Sequence, residues 1–322
     1  FRRVLFRSIC KEMKYFNKNK IFVSILLVTL FYVAIVLFSD FDKIKTNYQN
    51  FDILYFLPIL PILFFSMFCR SLVQRNLLKK INICISIRSS FLIFLGGYSM
   101  IMTPGGVGLM IKSFLIQKKY KHEISKSIPL VLAERFYDIF AVEVIILFTL
   151  FWFFSITSII LAILLGVGLS IVILFIKNKK LNHLFLRIIT KLKIIPDDQE
   201  HKAFFLDSLQ KLFEIRIFIK MSLIITGLVL FEGIIIFLSF QIFSINVEYI
   251  ESIQIYYSSM LLGALSLLPA GIGAIESLFV FLLSEKNISL DLATSTILFI
   301  RFVTIWLLSA IGIIISLKFL SK

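Results

Sequence analysis

Long apolar runs separated by short charged stretches set the pattern of this chain. The runs cover 21–39, 51–69, 91–111, 128–154, 156–176, 221–243, 256–284 and 292–317. Most come close to or exceed the ~20 residues a helix needs to cross a bilayer. They are continuously apolar rather than alternating with period two, so they predict helices. Arg2, Arg3, Arg7, Lys11, Lys14, Lys18 and Lys20 precede the first run. Arg70, Arg75, Lys79, Lys80 and Arg88 follow the second, Lys177, Lys179 and Lys180 the fifth, and Lys318 and Lys322 the last. Basic flanks mark the cytoplasmic side, which places both termini inside and 40–50, 246–252 and 285–291 outside.

Two runs resist a simple crossing. The stretch 91–111 lies between basic flanks and contains Pro104-Gly105-Gly106-Val107-Gly108. The stretch 256–284 lies between the two outer loops and contains Pro269-Ala270-Gly271-Ile272-Gly273. Each predicts a re-entrant hairpin that turns at its Pro/Gly break. Broken backbone is tolerated at membrane depth only where it packs in protein or lines a wet cavity. Arg135-Phe136 follows the first proline by 31 residues, and Arg301-Phe302 follows the second by 32. A breaker and an intramembrane cation recurring in register predict an inverted-topology repeat.

The expected fold is an all-α polytopic membrane protein, a single integral membrane domain over 1–322. It has about six spanning helices and two re-entrant hairpins, with eight spanning segments as the alternative. The first half covers 21–155 and the second 156–318, the latter with a cytoplasmic basic amphipathic segment over 178–217. There Leu206, Leu209, Leu212 and Phe213 recur at helical spacing around Asp207, Gln210 and Lys211, which predicts a helix lying on the inner membrane surface.

Composition agrees. The chain is 59% hydrophobic and only 16% charged, with a mean hydropathy of +0.97; soluble domains carry about a quarter charged residues. The net charge of +15 collects between the apolar runs. It therefore reads as membrane orientation and attraction to anionic headgroups, not nucleic-acid binding. Cys10, Cys69 and Cys84 form no redox or metal spacing, and His122, His183 and His201 are scattered, so no metal site or cofactor is expected. Residues 1–8 begin without methionine and show no cleavable signal pattern, and no function is read from them.

The candidate chemistry is phosphate binding. At a broken helix the freed N–H groups attract an anion, which nominates Gly105, Gly106, Gly108, Gly271 and Gly273; the plain alternative is packing glycines beside a kinking proline. Arg135 and Arg301 are the candidate headgroup cations, because a guanidinium binds phosphate bidentately and stays charged. Asp138, one turn after Arg135, is a candidate salt-bridge partner. Arg301 has no acidic neighbour at helical spacing, and Glu276 is its candidate partner. Glu134 is a further supporting acid, while Glu143 and Glu232 read as helix-contact or cavity residues.

At Thr103 to Gly108 (T-P-G-G-V-G), Glu134-Arg135-x-x-Asp138, Leu268 to Glu276 (L-P-A-G-I-G-A-I-E) and Arg301, the chain resembles the lysylphosphatidylglycerol synthase transmembrane-region family, the flippase-like UPF0104 proteins. The resemblance implies a lipid-translocating membrane unit, in some members joined to a soluble domain that aminoacylates phosphatidylglycerol. No such domain follows Lys322, so aminoacyl transfer is not expected and the chain is not read as an enzyme. The expectation is a flippase or scramblase-like translocator in the cytoplasmic (inner) membrane. Its cargo would be an anionic lipid: an aminoacyl or plain phospholipid, or a polyprenyl-phosphate carrier. Membrane lipids, and a separate lipid-modifying enzyme, are the expected partners. A membrane enzyme acting on lipid phosphates and a small-solute transporter are the alternatives.

Overall fold

The computed structural model describes residues 41–49, 51–103, 108–153, 156–178, 186–187, 190, 198–266 and 268–320. The expected first span at 21–39, Pro104, Gly105 and Gly106, Cys10, and most of 181–195 lie outside the described residues. Within them every regular element is helical: α1 Phe41–Gln49, α2 Ile53–Phe56, α3 Ile59–Lys80, α4 Ile87–Gly97, α5 Ile111–Tyr120, α6 Ile124–Thr149, α7 Ile156–Lys177, α8 Gln199–Leu212, α9 Ile215–Ile242, α10 Tyr249–Ser266, α11 Ala274–Ser284, α12 Leu290–Arg301 and α13 Leu307–Leu320.

Three courses are long and apolar enough to cross a membrane: Ile53–Lys80, Ile215–Ile242 and Leu290–Phe319. They make this an all-helical integral membrane protein. Exposed Ile160, Ile163, Leu164, Val167, Ile171 and Leu174 on α7, with Leu223 on α9, present the apolar outer surface such a protein needs.

Local chemistry sets the ends. Ser86 Oγ accepts from the Ser89 N–H to start α4, and Asp198 Oδ1 accepts from the His201 N–H to start α8. Lys121, at φ 56°, ends α5 in the left-handed conformation. The last membrane course contains a π-helical turn, Phe302–Trp306, between α12 and α13.

The second Pro/Gly segment lies in a helix–break–helix unit whose arms, α10 and α11, pack together, and α4 and α5, the pair flanking the first, also pack together. The first unit is displaced from its sequence expectation. Its second arm is Ile111–Tyr120, so the apolar stretch 91–111 supplies only the first. The residues 40–50, expected as a loop, contain helix α1. It is pinned to α12 by the Asn47 side-chain amide donating to Ser295 Oγ and by Tyr48 donating to the Ser295 carbonyl. The amphipathic stretch around 204–213 is helical as its spacing predicts, but its apolar face is covered by protein. Phe205 and Leu209 pack with Ile128 at the start of α6. The last helix crosses α4 closely. A Cβ on Gly312 would stand 2.6 Å from the Leu95 carbonyl oxygen, and Ser316 donates to the Gly96 carbonyl at 3.0 Å. Small residues permit such backbone approach.

Candidate functional site

A cavity of about 420 Å³ lies where α3, α6, α9, α10 and the last membrane course converge. Arg70, Arg135, Arg301, Asp138 and Glu232 line it, with Tyr98, Tyr256, Tyr257 and Thr304 and an otherwise mainly apolar wall. Thus Arg135 and Arg301, far apart in sequence, face one space.

The three arginines are held differently. Arg70 is held by two carboxylates: its Nη1 donates to Asp138 at 2.6 Å and its Nη2 to Glu232 at 2.7 Å. Ser66, one turn earlier on α3, donates to the same Glu232. Arg301, 2% exposed, donates through Nε to Glu276 at 2.8 Å and through Nη2 to the Ala270 carbonyl at 2.7 Å. The other Glu276 oxygen accepts from the Gly273 N–H at 2.7 Å, so one carboxylate caps α11 and neutralises the arginine. Arg135 is the accessible one. Its side chain is 39% exposed, and its ionic contact among the described residues is a 3.7 Å approach to Asp138.

This arrangement redistributes the expected roles. Asp138 serves Arg70 at close range and Arg135 only loosely. Arg70, expected as a flanking charge after the apolar run, lies within α3, ten residues before that helix ends at Lys80, and its side chain is 13% exposed. Glu134 is engaged by Lys112, which donates at 2.7 Å, is 2% exposed, and lies over the Phe94 ring at 4.1 Å. Lys112 too was expected in a cytoplasmic flank. A helix continuing well past Arg70 and a Ser66/Arg70 spacing of four were the available signals for that arginine's burial. No comparable signal marks Lys112.

The described glycines of the two motifs sit at tight turns or close backbone contacts. Gly108 donates its N–H to Thr103 Oγ1 at 2.6 Å, and a Cβ there would meet the Met100 carbonyl oxygen at 2.1 Å. Gly271 and Gly273 have φ of 66° and 91°, a region costly for other residues. They let the chain turn so that the Ala270 carbonyl meets Arg301. Gly271 also lines the cavity, whereas Gly108, Gly273, Glu134 and Glu276 stand behind it. Thr304, in the π-helical turn, donates to the Ile300 carbonyl at 2.7 Å. Such turns occur often at functional sites.

Fold and site together define a class: helical membrane proteins with a charged internal cavity built around broken-helix units. The chain belongs to the family described as the lysylphosphatidylglycerol synthase TM region, whose match covers residues 21–312. A UPF0104 membrane protein of Methanocaldococcus jannaschii is 24% identical over 66% of this chain and 90% of that relative.

Proposed function

We propose that this protein is a flippase or scramblase-like translocator of an anionic lipid and carries out no chemistry on it. The observation that carries the reading is Arg135, an accessible guanidinium in a charged cavity whose other two arginines are already engaged. Because Arg70 holds Asp138 at 2.6 Å, the looser 3.7 Å contact to Arg135 is the one a phosphate replaces at least cost. A bidentate phosphate contact in a space with apolar walls is stronger than the same contact in water. Arg70 and Arg301, with their fixed carboxylates, shape the polar path and keep its charge balanced. Tyr98 and Tyr256 supply polar atoms along the wall.

In this reading the two broken-helix units are the cores of an inverted-topology repeat, one entering from each face. The membrane is the cytoplasmic (inner) one, with both termini inside, and the cargo is a phospholipid, aminoacylated or plain, or a polyprenyl phosphate. A separate lipid-modifying enzyme supplies or consumes it.

The test is headgroup accessibility in proteoliposomes, with fluorescent phospholipid and a membrane-impermeant quencher. Wild type is expected to expose inner-leaflet lipid, and Arg135→Ala to abolish the effect while remaining folded. Absence of movement for both phospholipid and polyprenyl phosphate overturns the reading.

A further inference from the structure

Helix α7 rests on the body through a narrow stripe. Ala162 and Leu169 are buried, whereas Ile160, Ile163, Leu164 and Val167 face outward. Gly166 lies on the same stripe, and a Cβ built there would stand 2.6 Å from a carboxyl oxygen of Glu143 on α6. Glu143 is only 9% exposed, so its acid group is enclosed in the α6–α7 seam, against the glycine. The seam adjoins the cavity. Glu143 follows Val142 and lies one turn beyond Ile139, both of which line that space, on the helix that also supplies Arg135 and Asp138. Helix α10, which packs on both α6 and α7, gives the cavity Tyr256, Tyr257 and Met260.

The acids around the cavity each have a cation. Asp138 and Glu232 share Arg70, Glu134 has Lys112, and Glu276 has Arg301. Glu143 has no ion pair or hydrogen bond among the described residues. Helix α7 carries no ionisable residue before Lys177. On α10, Glu251 pairs with Lys286, Tyr249 and Tyr257 donate to the Leu230 and Val229 carbonyls, and Tyr256 bonds with Thr304. On α9 and α3, Glu232 and Arg70 hold each other, and Arg75 donates to the Ile85 carbonyl. Arg216 and Lys220 near the start of α9, and Lys79 and Lys80 at the end of α3, are exposed. Helices α5 and α8 meet α6 nearer its start, at Glu134 and Ile128. None of these charges acts on Glu143.

A bare carboxylate in such surroundings is far costlier than the neutral acid. The seam therefore accommodates Glu143 with its proton on. Release of that proton to water leaves a charge without a counter-ion between α6 and α7, and parting the two helices so that water reaches it relieves the cost. We propose that Glu143 is a proton-binding site whose proton keeps α7 seated on α6 beside the cavity. With the proton bound the seam is closed; with it released, α7 loosens from the helix that carries Arg135 and Asp138. The consequence for transport rests on the translocator reading, while the site and the seam do not.

The test reads the proton and the seam apart from transport. The full chain in phosphatidylcholine nanodiscs is treated with dicyclohexylcarbodiimide, which couples to protonated carboxyl groups in apolar surroundings. The reaction is run at about pH 6 and about pH 9, the span in which buried carboxyls release their proton. Mass spectrometry is expected to find the adduct on Glu143 at the lower pH and its loss at the higher. Hydrogen exchange over residues 156–170, corrected for intrinsic rates, is expected to be several-fold faster at the higher pH in wild type. Glu143→Gln, a lasting neutral form, is expected to exchange slowly at both. In the proteoliposome assay, wild type is expected to change its rate of headgroup exposure between these pH values, and Glu143→Gln to keep the lower-pH rate. No lipid movement at either pH, with labelling and exchange as expected, counts against the translocator reading and not against the site. Absence of adduct at the lower pH, or a pH response of exchange that survives in Glu143→Gln, overturns the proposal.

Discussion

Glu276 grips Arg301 with one carboxylate oxygen, at 2.8 Å, and the first N–H before α11 with the other, at 2.7 Å. A single side chain therefore fixes both the turn at 269–273 and the cation beside it. Removing one member of such a buried pair strands the other without compensation, at a cost of about 3–5 kcal/mol. Glu276→Ala is expected to lower thermal stability in detergent by that order. Combining it with Arg301→Met is expected to cost clearly less than the two single changes added together. A double-variant cycle with additive losses would remove the coupling from this account.

Arg70 and Arg135 line the same cavity and are expected to fail in opposite ways. Arg70→Gln leaves Asp138 and Glu232 facing each other without their shared cation, and a loss of about 3–5 kcal/mol follows. Arg135→Gln removes a partly exposed, longer ion contact and is expected to change stability by no more than about 1 kcal/mol. Parallel unfolding curves for the two variants separate the structural from the ligand-facing arginine. Equal destabilisation would contradict the assignment.

Glycine substitutions are expected to sort by surroundings. Gly108→Ala drives a methyl group into the Met100 carbonyl and should abolish stable folding, whereas Gly227 has nothing within 4 Å of an added Cβ. Gly227→Ala, inside helix α9, is expected to be neutral or to stabilise by up to about 1 kcal/mol. Expression level and monodispersity after detergent extraction are sufficient readouts.

Helix α8 carries a pH-dependent tether. His201 Nδ1 lies 2.7 Å from Asp198, and Nε2 lies 3.2 Å from Glu123 beside the start of α6. The hydrogen bond with Asp198 raises the His201 pKa above its ordinary 6.5. Its contribution is therefore complete below about 6.5 and is lost as pH climbs through the raised value. Asp198 is shifted down, chiefly by the His201 backbone N–H and then by its side chain. Its contribution is present above the ordinary 3.8 and disappears as pH falls through the lowered value. The tether is thus strongest between about pH 4 and 6.5. Hydrogen exchange at the start of α8 should be slower at pH 5.5 than at pH 8.5, after correction for intrinsic rates. His201→Gln should erase that difference.

Much of the fold was legible because lipid imposes simple rules. Apolar runs of spanning length marked the three membrane courses, and Pro269, Gly271 and Gly273 marked a break. Arg301 and Glu276 could be paired on paper because a deep cation with no acidic neighbour on its own helix needs one from elsewhere. The burial and ion pairing of Arg70 and Lys112 were not legible for the complementary reason. Each sits at the edge of an apolar run beside other cations, and charge counting treats such residues alike. What separates Arg70 from Lys79 is a tertiary fact: Asp138 and Glu232 reach it from α6 and α9. The face of α8 failed similarly, since amphipathicity announces that an apolar stripe is covered but not whether lipid or α6 covers it.

The π-helical turn after Arg301 gives the last membrane course its phase. One residue more than an α-helical turn is threaded between the arginine facing the cavity and Gly312 seated on α4. Deleting one residue within 302–306 would leave the apolar character of the course intact but rotate everything beyond it by about 100°. Gly312 and Ser316 would then turn away from α4 while Arg301 kept its place. Two contact surfaces that share one helix are reconciled here by a single inserted residue, and a change of length at that point would do more harm than a change of polarity.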